Sequence, residues 1–242
     1  MNRIEKGIAE LKRSFDETLY PAEFLAEYDQ LECLAHSHGT ETFLVSGKND
    51  GALYVAKCYD KSVYITVNES DVLAAIHFDG LPAYTATFEN DRVLLTVREY
   101  VEGTPLDQYA KKGKLPEKQA VAFCIQLCDI LSYLHGQEKP IIHRDIKPQN
   151  IIARQDGTIA LIDFDIARQY SEDAETDTQF FGTRVYAPPE QYGFSQTDCR
   201  ADIYSIGVLL GWLLTREMDP REVSAALGRD PLGKIYRKCT AF

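Results

Sequence analysis

No dense block of lysine and arginine occurs in the 242 residues, and acidic residues outnumber basic ones 37 to 26, for a net charge of −11. That balance disfavours a nucleic-acid or anionic-membrane surface as the chain's main business. No C-x-x-C pair occurs among the six cysteines, at 33, 58, 124, 128, 199 and 239. Cys124 and Cys128 lie one helical turn apart, which reads as a core stripe before it reads as a metal site. Without a disulfide framework, a reducing, cytoplasmic setting is expected. The longest apolar run, IYSIGVLLGWLL at 203–214, has twelve residues, too few to span a bilayer and about right for a buried helix. The N-terminus mixes Arg3, Glu5 and Lys6 with isolated apolar residues and is no signal peptide. With no spanning run and no signal peptide, the chain reads as soluble, without membrane contact; repeats and low-complexity tracts are missing too.

What is present suits one large domain or two lobes, with 45% apolar residues for a core. Residues 1–27 form an N-terminal extension. Its Ile4, Ile8, Leu11, Phe15 and Leu19 recur at helical spacing until Pro21, predicting an amphipathic helix docked on the domain. Residues 28–101 are strand-rich: TFLVS (42–46), LYVAKCY (53–59), YTATF (84–88) and RVLLTVREYV (92–101), separated by turns such as NDG and END. One helix is expected near 68–77. From 102 the character changes. Pro116 opens a long helix with Val121, Cys124, Ile125, Cys128, Leu131 and Leu134 predicted on its buried face. Two short apolar runs flank QDG, an acidic loop follows at 171–179, and then comes the buried helix. The expected fold class is α+β, with a small β lobe before a larger helical one.

The densest chemistry is HRDIKPQN at 143–150, followed by LID ending in Asp163. Two acids, an amide and a lysine after short strands suit divalent metal and phosphate chemistry. Asp145 could accept a hydroxyl proton, Lys147 could balance phosphate charge, and Asn150 with Asp163 could hold magnesium. Each alone is ordinary loop polarity; the ordered set is not.

With VAK (55–57), DFD (163–165), GTRVYAPPE (182–190) and ADIYSIG (201–207) in order around that cluster, the chain resembles the eukaryotic-type serine/threonine protein kinases, in their bacterial style. The resemblance runs from about 28 to 242 and implies a bilobal kinase fold, ATP, Mg2+ (or Mn2+ in its place) and a protein substrate. It implies that Lys57 pairs the α- and β-phosphates and is itself paired by Glu69. Asp145 becomes the catalytic acid, Asn150 a metal ligand and Asp163 the main metal ligand. Backbone groups of Glu99 and Val101 would bind adenine. Lys147 and Thr183 mark the serine/threonine type, and Thr183 would bridge Asp145 and Lys147. Asp202 would tie down the backbone of the HRD turn, or serve as a helix cap. Arg144 would receive a loop phosphate, with Thr176 or Thr178 as its carrier. His143 is expected to pack in the core.

Four departures stand against that pattern. Ala35, Ser37 and Thr40 replace the three glycines of the phosphate loop, with Gly39 inside it, which leaves less freedom of approach to phosphate. Arg98 precedes the hinge EYV, and a charge there must find an acid; of Glu69 and Asp163, Glu69 is expected, in competition with Lys57. The chain ends at KCTAF, where the resemblance expects a continuation with an arginine for Glu190; the C-lobe reads as incomplete and the natural protein as longer. Asp165 replaces the glycine after Phe164. Aspartate tolerates left-handed backbone, and its side chain is expected to cap the turn rather than bind metal. Two rivals remain: a pseudokinase that binds nucleotide and signals by contact, and a small-molecule kinase of the aminoglycoside-phosphotransferase kind, which Lys147 and GTRVYAPPE disfavour.

Overall fold

The computed structural model describes residues 17–64, 67–169, 186–188 and 197–241. They divide into two compact units, one of the described residues up to Ala74 with Pro82–Val101, the other of Ala75–Leu81 with the described residues from Glu102 onward.

The first unit begins with a short 3-10 turn, Glu17–Leu19, and helix α1, Ala22–Glu27, which Pro21 opens. Then come strands β1 (Tyr28–Ser37), β2 (Thr40–Gly47) and β3 (Leu53–Asp60), helix α2 (Glu69–Ala75), and strands β4 (Tyr84–Glu89) and β5 (Val93–Glu99). The strands form one antiparallel sheet in the order β1-β2-β3-β5-β4. Four of the five appear in the expected places. β1, YDQLECLAHS, escaped the pattern because it is an edge strand whose residues are mostly half-buried or exposed, so no clean alternation marks it.

One face of this sheet carries Phe43, Val45, Ala56, Cys58, Val93, Leu95 and Val97, and the extension covers it with Tyr20 and Phe24. Phe24 is fully buried and stacks on Tyr28 at 5.5 Å. The extension therefore docks on the sheet, through Tyr20 and α1; of the helix expected over residues 1–20, residues 1–16 lie outside the described residues and Glu17–Leu19 form a 3-10 turn instead.

The second unit runs β6 (Thr104–Pro105), α3 (Leu106–Tyr109), α4 (Glu117–His135), β7 (Ile141–Ile142), β8 (Ile151–Ala153), β9 (Ile159–Leu161), β10 (Arg168–Gln169), α5 (Arg200–Thr215), α6 (Pro220–Leu227) and α7 (Pro231–Cys239). Pro116 caps α4 as expected, but its buried face is Ala120, Phe123, Cys124, Leu127, Ile130, Leu131 and Leu134. Ile125 and Cys128 point outward. Apolar side chains occur around much of this helix, so more than one stripe fitted a 3.6-residue period. The twelve-residue apolar run lies in α5, against which α7 packs closely: a Cβ on Gly207 would come within 2.6 Å of Cys239 Cβ. Among the described residues no helix is long and apolar enough to cross a membrane.

Candidate active site

In the second unit, the HRD turn hangs from α5. Asp202, fully buried in the first turn of that helix, accepts from the His143 amide (2.9 Å) and the Arg144 amide (2.8 Å). His135, the last residue of α4, brings Nε2 to 2.8 Å from the same carboxylate. Cys199 holds the N-cap position of the helix, without a side-chain bond, and Asp202 lies inside the first turn, where it acts as the tie. These bonds hold Arg144 at a φ of 65, a conformation that a non-glycine residue adopts at a cost of about 1–3 kcal/mol. His143 is buried edge-on against Phe164 (centroids 4.8 Å apart), and burial pushes its imidazole below the ordinary histidine value. Its Nδ1 accepts from the Asp145 amide at 3.3 Å.

The turn thus presents Asp145 to two donors. Lys147 Nζ lies 2.7 Å and Asn150 Nδ2 2.9 Å from Asp145 Oδ2, and Asn150 Nδ2 also donates to the Asp145 carbonyl at 2.9 Å. Three of the residues singled out in HRDIKPQN therefore share one hydrogen-bonded knot. Asp163 is brought alongside by the β8–β9 pairing, in which Ile151 faces Leu161 and the Ile162 amide donates to the Asn150 carbonyl at 2.8 Å. Asp163 itself has a φ of 72.

The Asp163 and Asp165 carboxylates offer oxygens within 4.8 Å of each other. The amide two residues on, Ala167, donates to the Phe164 carbonyl at 3.1 Å. Arg144 is 5% exposed, and its Nε donates to the Ile166 carbonyl at 2.6 Å. Thr176, Thr178, Thr183 and Glu190 lie outside the described residues. Of GTRVYAPPE, Tyr186 is described, and its carbonyl accepts from Ser205 on α5 at 2.9 Å.

In the first unit, Lys57 sits mid-strand on β3, opposite Thr42 and Thr96, and is 8% exposed. Glu69 opens α2 and is fully buried. Its Oε2 accepts from the Tyr59 hydroxyl at 2.6 Å, and its Oε1 lies 3.8 Å from Arg98 Nε. Oε1 has no hydrogen-bond donor, from Lys57 or from any other described group. Arg98 thus takes Glu69 as its acid, as expected. The Glu99 amide is committed to the Ala83 carbonyl (2.8 Å), while the Glu99 carbonyl has Arg98 Nη1 at 3.4 Å; Val101 is buried.

The phosphate-loop positions form a tight hairpin. Ala35 pairs with Thr42 and Ser37 with Thr40, whose hydroxyls are hydrogen-bonded. Gly39 takes a φ of 79, and its carbonyl accepts from the Asp60 amide at 2.9 Å. Two members of these networks escaped the sequence reasoning. Tyr59 stands two residues after Lys57 on one strand, a spacing that places both on the same face and was the available signal. His135 carried none beyond its place at a helix end.

Residues 33–226 match the family described as Protein kinase domain. The chain is 36% identical over 142 residues to serine/threonine-protein kinase 36 of Pongo abelii, covering 59% of this chain and 11% of that one. It is 32% identical over 200 residues to serine/threonine-protein kinase Nek1 of Mus musculus (79% and 16%). A bacterial relative, "Probable serine/threonine-protein kinase PknB" of Lactococcus lactis subsp. lactis, is 35% identical over 133 residues (54% and 21%). These alignments span between 11% and 21% of the relatives' own lengths. The chain belongs to the protein kinase family, among relatives of the serine/threonine type.

Proposed function

We propose that the chain is an ATP- and Mg2+-dependent serine/threonine protein kinase that transfers the γ-phosphoryl group to a protein hydroxyl and autophosphorylates. The observation that carries this reading is the Asp145 knot, a carboxylate fixed by Lys147 and Asn150 on a turn hung from Asp202. Asp145 accepts the proton of the attacking hydroxyl while its oxygen bonds phosphorus and the bond to the β-phosphate oxygen breaks. Lys147 offsets charge on the transferred group, and Lys57 holds the α- and β-phosphates. Ala35, Ser37 and Gly39 cover the phosphates, and the Glu99 carbonyl and Val101 amide hold adenine.

The donor set fits a hard divalent cation. Asn150 spends its amide nitrogen on Asp145, leaving a carbonyl oxygen, and Asp163 adds a carboxylate, so all the ligands are oxygen. Magnesium bound there would neutralise developing phosphate charge. All six cysteines are free thiols, which supports a reducing, cytoplasmic setting.

The closed hairpin and the Arg98–Glu69 pair favour a second reading, a nucleotide-binding module with little transfer. One assay separates them: incubation with radiolabelled ATP and Mg2+, alone and with generic protein substrates. Label on the chain, mapped by mass spectrometry to Thr176 or Thr178, and on substrate supports the kinase. Nucleotide binding without label supports the module.

A further inference from the structure

Residues 57 and 59 point to one face of β3, and Tyr59 is almost fully buried there. Its hydroxyl donates to Glu69 Oε2 at 2.6 Å, the short distance of a charge-assisted bond to a carboxylate that has no water to turn to. Lys57 Nζ lies 5.8 Å from the centre of the same ring, within reach of a cation over an aromatic face. The ring also meets Tyr64 edge-on at 5.7 Å. Tyr64 in turn closes on the β1–β2 hairpin tip, where a Cβ on Gly39 would stand 3.1 Å from Tyr64 Cε2 and 2.9 Å from Val63 Cβ.

One side chain therefore touches the acid, the lysine and the support of the hairpin. We propose that Tyr59 is a positioning residue for nucleotide binding: its hydroxyl sets the Glu69 carboxylate, its ring sets the Lys57 ammonium, and Tyr64 couples both to the hairpin tip. The assignment rests on the kinase reading for what Lys57 and the hairpin hold. It does not need Lys57 and Glu69 to be paired directly, because Tyr59 connects them even while Arg98 faces the other Glu69 oxygen.

The test uses the full chain with Tyr59→Phe, which keeps the ring and loses the hydroxyl, and Tyr59→Leu, which loses both. KM for ATP, KM for a generic protein substrate, kcat, and hydrogen exchange over residues 69–75 are measured for each. Tyr59→Phe is expected to raise KM for ATP roughly tenfold, the scale of a hydrogen bond to a charged group. The protein-substrate KM should stay unchanged and kcat should remain within about threefold, with faster exchange over 69–75. Tyr59→Leu should raise KM for ATP further; if it fails to fold, Tyr59→Phe decides. Unchanged KM for ATP and unchanged exchange in Tyr59→Phe overturn the proposal, as does a fall in thermal midpoint and kcat with no change in KM. If the wild-type chain transfers no phosphate, the kinase reading falls by itself. Exchange over 69–75 in Tyr59→Phe then still decides whether Tyr59 sets Glu69.

Discussion

Arg98 Nε and Glu69 Oε1 face each other at 3.8 Å, both side chains buried, and neither atom has a hydrogen bond. The pair neutralises two charges withdrawn from water without the directed bonds that would make it strong. It also occupies the side of Glu69 that the family would give to Lys57. Arg98→Met should leave Glu69 on Tyr59 and release Oε1 for Lys57, lowering KM for ATP roughly tenfold, the worth of one charge-assisted hydrogen bond. Steady-state kinetics over a range of ATP concentrations checks this. A large loss of both affinity and rate would show that Arg98 serves the active arrangement.

Asp145→Asn and Asp163→Asn preserve shape while removing a carboxylate. Asp145 accepts from Lys147 and Asn150 at an oxygen that asparagine can retain, so folding should survive. Phosphoryl transfer should fall by about a hundredfold or more for Asp145→Asn, the scale of a lost general base, and by a similar factor for Asp163→Asn. Circular dichroism and the radiolabel assay together decide. Near-normal turnover in either variant removes the role given to that residue.

The Asp165 carboxylate offers an oxygen within 4.8 Å of one from Asp163. If Asp163 is the principal ligand, Asp165→Gly should keep turnover within about fivefold, because only a local contact worth ~1 kcal/mol is lost. Exchange over residues 164–169 should quicken as glycine frees the backbone. The readouts are kcat, the magnesium concentration for half-maximal rate, and exchange by mass spectrometry. A hundredfold fall, or a changed metal preference, would make Asp165 a ligand.

Phe24 lies in the extension but is fully buried, against Tyr20, Tyr28 and Phe88. Phe24→Ala should destabilise the first unit by about 3–5 kcal/mol, the usual cost of emptying an aromatic core site. Urea unfolding followed by tyrosine fluorescence measures it. A change below about 1 kcal/mol would mean that the extension is not integral to the sheet's core.

Local pattern sufficed where one residue's surroundings are set by its near neighbours. The strands β2 to β5 follow from β-branched runs between turns, and α5 from an apolar stretch without proline. The order of HRDIKPQN and LID already implied an acid, a lysine and an amide acting together, because a few residues of loop keep them close. Offsets between equivalent stripes were not legible. On α4 the sequence allowed several apolar faces, and the packing of the second unit chose the one through Phe123 and Leu127.

The sequence by itself determined the family, the Asp145–Lys147–Asn150 cluster and the need of Arg98 for an acid, since ordered motifs and the cost of a buried charge require no coordinates. Only the tertiary structure showed that Tyr59 shares the Glu69 carboxylate that faces Arg98. Likewise it alone brought His135 to the Asp202 carboxylate that holds the HRD turn. The physical reason is common to these cases. Hydrogen bonds and ion pairs reach only a few ångströms, and strand register and helix packing, rather than distance along the chain, decide which polar groups meet at that range.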